Sequence, residues 1–104
     1  MVKAKNYKEH LLKQLQKPSE AAAYLNAALQ DDDPHVFLLA LRDIAEAQGG
    51  MGWLAEEADL NRENLYRTLS LKGNPRFFNL LAVLEAVGLT FSIHPKRKTR
   101  HARA

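Results

Sequence analysis

The punctuation of this chain limits its fold more than any other feature. Pro18, Asp33-Pro34, Gly49-Gly50, Asn74-Pro75 and Gly88 divide the 104 residues into short stretches. Within most of them apolar residues recur every three or four positions, which is the spacing of an amphipathic helix. Proline lacks the N–H that an interior helical position must donate, and paired glycines favour a stop, so no stretch can merge with the next. The pattern predicts an all-α fold, a small bundle of about five to six helices.

Tyr7, Leu11, Leu12 and Leu15 line the first helix, from Tyr7 to Gln16, which Pro18 ends. Ser19 is placed to cap a second helix that carries Glu20 in its first turn and an apolar stripe of Ala22, Tyr24, Leu25, Ala28 and Leu29. Asp31-Asp32-Asp33 ends it. Asp33 followed by Pro34 then reads as an N-cap with proline at the first helical position, opening a helix from Pro34 to Gln48 that buries Phe37, Leu38, Leu41, Ile44 and Ala45. Gly49-Gly50 stops that helix and Gly52 extends a flexible junction. Asn74-Pro75 repeats the cap-then-proline signal before a helix bearing Phe77, Phe78, Leu81, Leu84 and Val87, with Gly88 as its stop. Core packing is the default for Trp53 and Phe77, and for Phe78 with some exposure. Beyond it, residues 89–93 alternate apolar and polar and read as one short C-terminal strand. A lone strand lacks a partner in a helical chain, so it must pair with another chain, lie on a helix as an extended segment, or fail to form; two copies pairing antiparallel across a two-fold axis would make a ribbon and a homodimer.

Length favours one domain. With no cysteine, disulfides, thiolate zinc sites and cysteine nucleophiles are excluded, and stability rests on packed apolar side chains, which at 46% are near the globular average. The longest apolar run, Val36 to Leu41, is far shorter than the ~18 residues of a membrane span. The first ten residues are basic but lack the apolar segment of a secretory signal, so a cytoplasmic location is expected.

Charge is unevenly placed. Residues 1–19 carry net +4, residues 20–46 net −5, residues 47–94 net −1, and the last ten residues +5. Basic ends around an acidic block suit two partners, a polyanion and a basic protein. The expected layout is a basic helical extension over 1–18, a central domain over 19–94, and a basic tail over 95–104.

The segment from Met51 to Leu71 is the most specific. Leu54, Ala55, Ala58, Leu60, Leu65 and Leu69 are spaced so that two short helices meet across a turn at Asp59-Leu60-Asn61, with Asn61 capping the second helix and Asn64 at its third position. With Leu65 and Leu69 facing inward, Arg62, Glu63, Tyr66, Arg67 and Ser70 share the outer stripe. Arginine can give two hydrogen bonds to guanine, glutamate can accept from cytosine, and tyrosine or serine can donate to phosphate. Lys72 and Arg76 are placed to approach a nucleic-acid backbone. A helical hairpin with a charged outer face would show the same periodicity.

The run from Leu54 to Ser70, then Gly73-Asn74-Pro75, then Leu80 to Leu89 resembles the Xre/Cro-type helix-turn-helix group. Within that group the chain is similar to the probable addiction module antidote proteins, HigA-like antitoxins encoded beside a RelE/ParE-type toxin. Ala22 to Leu29, the Asp33-Pro34 step and Ala40 to Ala45 share the likeness, which spans about residues 20 to 94. The resemblance implies that Arg62, Glu63, Asn64, Tyr66 and Arg67 form a recognition surface on double-stranded operator DNA, with Asn61 in place of the usual Ser/Thr cap. It also implies repression of its own operon by a dimer and neutralisation of an mRNA-cleaving toxin. Charge complementarity nominates Asp31, Asp32, Asp33, Asp43 and Glu46 as the toxin-docking surface. Two departures stand out. Asp59 replaces the turn glycine, and Gly50-Met51-Gly52-Trp53 replaces the polar opening of the first helix.

Other chemistry finds little footing. The four histidines have no metal-ligand spacing, so neither a metal nor another cofactor is expected. Glu56, Glu57 and Asp59 do not make a facing acid/base pair, and Gly49-Gly50-Met51-Gly52 lacks the strand and Lys-Ser/Thr of a phosphate loop, so an enzyme is not expected. A stand-alone helix-turn-helix repressor without a toxin, or a protein-interaction module without DNA binding, are the rival readings.

Overall fold

In the computed structural model, which describes residues 3–96, the chain forms six helices: α1 Lys3–Gln14, α2 Pro18–Ala28, α3 His35–Gln48, α4 Met51–Ala58, α5 Arg62–Thr68 and α6 Phe77–Ala86. The central helix is α3. It packs against α1, α2 and α4, while α4 in turn meets α5 and α6. One core results, in which Leu15, Leu41, Ile44, Leu54, Leu69 and Val83 are the largest side chains completely sealed from solvent. No described polar or charged side chain is fully buried, so the core is held by apolar burial alone.

Helix boundaries differ from the sequence expectation where caps compete. The first helix starts at Lys3 rather than Tyr7 and gives way after Gln14, leaving Leu15 to plunge into the core. Pro18, expected only to stop α1, is itself the first residue of α2, and Ser19 is no cap because Lys17 holds that position in extended backbone. At α3 the assigned helix begins at His35, but the expected cap chemistry is present. The Asp33 carboxylate accepts from the His35 N–H at 2.9 Å and lies 2.8 Å from the His35 Nδ1. Those two hydrogen bonds hold the Asp33 carboxyl below its ordinary pKa. Asn74-Pro75 does not open α6. The chain stays extended through Arg76, and α6 starts at Phe77 without a side-chain cap.

Three further expectations are corrected. Gly52 belongs to α4 rather than to a flexible junction. Phe77 and Phe78 lie outside the core, 58% and 80% exposed, because the stripe of α6 that packs inward runs through Leu80, Val83, Leu84 and Val87 instead. Trp53 is half-buried against the core. Residues 89–93 form no strand, and none occurs among the described residues, since a single extended segment has no second strand with which to share backbone hydrogen bonds. The basic tail from residue 97 onward lies outside the described residues.

The ends of α4 and α6 close alike. The Leu60 N–H donates to the Ala55 carbonyl at 2.9 Å and the Asp59 N–H to Glu56 at 3.2 Å; the Leu89 N–H donates to Leu84 at 2.9 Å and the Gly88 N–H to Glu85 at 3.0 Å. This paired closure requires a left-handed residue, supplied by Asp59 at φ 57° and by Gly88 at φ 85°. The following Leu60 and Leu89 fold back onto the core.

Candidate functional site

The turn at Asp59 redirects the chain into α5, whose first turn is closed by Asn61. Its side chain accepts from the Asn64 N–H at 2.8 Å, satisfying a donor that the helix leaves free. Below, Leu65 and Leu69 are 3% and 1% exposed and root the helix in the core. That rooting fixes which side faces outward. Arg62, Glu63, Tyr66 and Arg67 are exposed, Asn64 and Ser70 half-buried, and Lys72 and Arg76 exposed on the segment that follows.

Side-chain contacts order this outer surface. Arg67 donates to the Asn64 Oδ1 at 3.0 Å, while the Ser70 hydroxyl donates to the Arg67 carbonyl at 2.8 Å and accepts from the Lys72 N–H at 3.3 Å. The Arg62 guanidinium lies 5.9 Å from the centre of the Tyr66 ring. On α3, Arg42 stands over the same ring at 5.0 Å and donates to the Leu69 carbonyl at 3.4 Å. Two cations therefore lie against one aromatic ring, and Arg42 also satisfies a carbonyl at the end of α5.

Sequence reasoning missed Arg42, although a signal existed. It lies four residues after Leu38 and three before Ala45, both buried, so an arginine there has its stem covered and its head forced to the edge of the stripe. It also missed the role of one glycine. A Cβ at Gly73 would fall 1.8 Å from the Thr68 carbonyl oxygen, which no side chain can occupy. Gly73 is thus dictated by the closeness of the chain returning past the end of α5.

The five acids singled out for a protein partner are not one free cluster. Asp31, Asp32 and Asp33 lie in the turn between α2 and α3, while Asp43 and Glu46 lie on α3. Asp43 accepts from the Tyr24 hydroxyl at 2.6 Å, Glu46 pairs with Lys8 at 3.4 Å, and Asp31 accepts from the Asp33 N–H at 2.9 Å. Burial, reinforced by the Asp43 carboxylate, raises the Tyr24 phenol well above its ordinary range, so it remains a neutral donor.

No group of side chains among the described residues is arranged to hold a metal ion, and no described helix is long and apolar enough to cross a membrane. Six short helices around one apolar core, with a capped and cation-bearing helix held at the surface, define a small all-helical protein whose distinctive chemistry is on its exterior. The chain belongs to the probable addiction module antidote protein family, whose profile matches residues 6–95. It is also 39% identical over 89 residues to an uncharacterized protein of Haemophilus influenzae strain Rd, an alignment covering 86% of this chain and 87% of that protein. No solved structure matches it significantly. Family membership points to an antidote role in an addiction module and, in general terms, to a toxin partner.

Proposed function

We propose that this protein is a DNA-binding antitoxin that acts in the cytoplasm, represses its own operon through α4 and α5 as a helix-turn-helix of the Xre/Cro type, and neutralises a RelE/ParE-type toxin by direct binding. The observation that carries the DNA reading is the outward surface of α5. Arg62, Tyr66 and Arg67 project from a helix that is capped by Asn61, rooted by Leu65 and Leu69, and braced by Arg42. Such a helix enters a major groove with its side chains already ordered. In this reading Arg62 and Arg67 contact base edges or phosphates, Glu63, Asn64 and Ser70 line the same face, and Lys72 and Arg76 contact the backbone. A homodimer places two copies of α5 in successive major grooves, roughly 34 Å apart.

The dimer contact in this reading involves residues 89–93 and the start of α6. Phe77 stacks on Phe91 at 6.3 Å between ring centres and tilts against Phe78 at 6.0 Å, so an exposed aromatic patch continues from α6 into the extended segment. Burying that patch against a second copy removes apolar surface that a monomer leaves in water. The toxin contact falls on the acidic block through Asp31, Asp32, Asp33, Asp43 and Glu46.

A gel shift on the chain's own upstream DNA tests the reading. Binding should weaken steeply as salt rises, and Arg67→Ala should lose about tenfold in affinity, at least as much as any single lysine change in the tail. If Arg67→Ala binds like the wild type while tail changes abolish the shift, α5 is not the DNA-reading element.

A further inference from the structure

We propose that the groove between α2 and α3 is where the toxin docks, and that its occupant is a cationic segment of the toxin with aliphatic side chains between its Lys or Arg residues. This deepens the antitoxin reading and rests on it. The groove has a volume of about 590 Å³, with Ala27, Ala28 and Leu39 in its lining and Asp31, Asp43 and Tyr24 around it. Small floor residues let an incoming backbone approach closely, and the two carboxylates supply the opposite charge that a partner built to grip RNA carries. The surrounding residues 20–46 have net charge −5. By contrast, the aromatic patch at α6 has Arg76, His94 and Lys96 as sequence neighbours, a poor match for a basic protein.

Both rim acids are held in place yet keep an oxygen for a partner. Asp43 uses Oδ2 to accept from Tyr24, and Asp31 uses Oδ1 to accept from the Asp33 N–H. The neutral Tyr24 hydroxyl orients Asp43 toward the groove without cancelling its charge. Adjacent residues of α3 also point to different neighbours. Arg42 reaches α5 whereas Asp43 reaches α2, so the groove and the α5 surface adjoin different sides of one helix, about 100° apart around its axis.

The test measures binding of the full-length chain to the purified protein encoded by the neighbouring reading frame, and separately to its own upstream DNA. Asp31→Asn with Asp43→Asn leaves one amide oxygen at each position for the Asp33 N–H and the Tyr24 hydroxyl, while turning the partner-facing carboxylate oxygen into an uncharged NH2; Ala27→Trp fills the floor at an exposed position. Each variant should weaken toxin binding about tenfold or more with DNA binding unchanged. The loss in the Asn pair should shrink at high salt, while that of Ala27→Trp persists. Toxin binding at wild-type strength in both variants overturns the groove while leaving the antitoxin reading intact. A wild-type chain that does not bind the toxin overturns both. A change in self-association with toxin binding unaltered also overturns the proposal, and assigns the groove to a second copy of this chain.

Discussion

The segment around α5 and the segment that starts α6 both present large side chains to solvent, but they are built differently. In α5 most of the outer surface is ordered by the chain itself: Asn61 caps, Leu65 and Leu69 anchor, Asn64 steadies Arg67, and Arg42 braces Tyr66. At the start of α6 nothing caps the helix, and Phe77, Phe78 and Ile93 stand out in water, Ile93 at 91% exposure. The first region is organised by the chain itself. The second leaves its aromatic surface in contact with water. Stability in the isolated chain should therefore depend on the framework beneath α5 and hardly at all on the aromatics of α6.

The sharpest break of this contrast is Gly73→Ala. The added carbon collides with the Thr68 carbonyl, so the loop after α5 must move, and the cost should be at least about 3 kcal/mol in denaturant unfolding. Leu69→Ala, which empties a sealed core position without a clash, should cost about 3 kcal/mol. Loss of the cap in Asn61→Ala should cost about 1 kcal/mol, read as a lower melting temperature. In the other direction, Asp59→Gly relieves a left-handed conformation and should stabilise by about 0.5 kcal/mol, partly offset by the entropy glycine loses on folding. The smallest effect is expected from Phe78→Ser, within about 0.5 kcal/mol for the monomer, while sedimentation should show weaker self-association. A large stability loss in Phe78→Ser, or none in Leu69→Ala, would remove the distinction between the two regions.

How much of this was legible depended on whether local pattern or distant packing decided each feature. The α4–α5 turn was readable because three local signals agreed: leucine spacing, an asparagine cap and an aspartate that tolerates left-handed backbone. The start of α6 misled because Asn74-Pro75 carries a valid capping signal, yet the chain must remain extended for two more residues to bring Leu80 and Val83 onto the core. Hydrophobicity favours core packing for Phe77 and, with some exposure, for Phe78. Their exposure follows from the rotation of α6, which is set by its packing against distant parts of the chain, chiefly α4. Arg42 escaped notice because its partner, Tyr66, is 24 residues away in sequence, and pairings of that range leave no periodic trace.

Gly73 sits inside the Leu-Ser-x-x-Gly-Asn-Pro run, where it has the look of a recognition mark. The steric argument gives it another meaning: with Thr68 so near, any descendant that keeps this backbone path must keep a glycine there, including one whose outward arginines have drifted away. Finding that glycine in a distant homologue therefore vouches for the shape of the chain rather than for the chemistry of its surface.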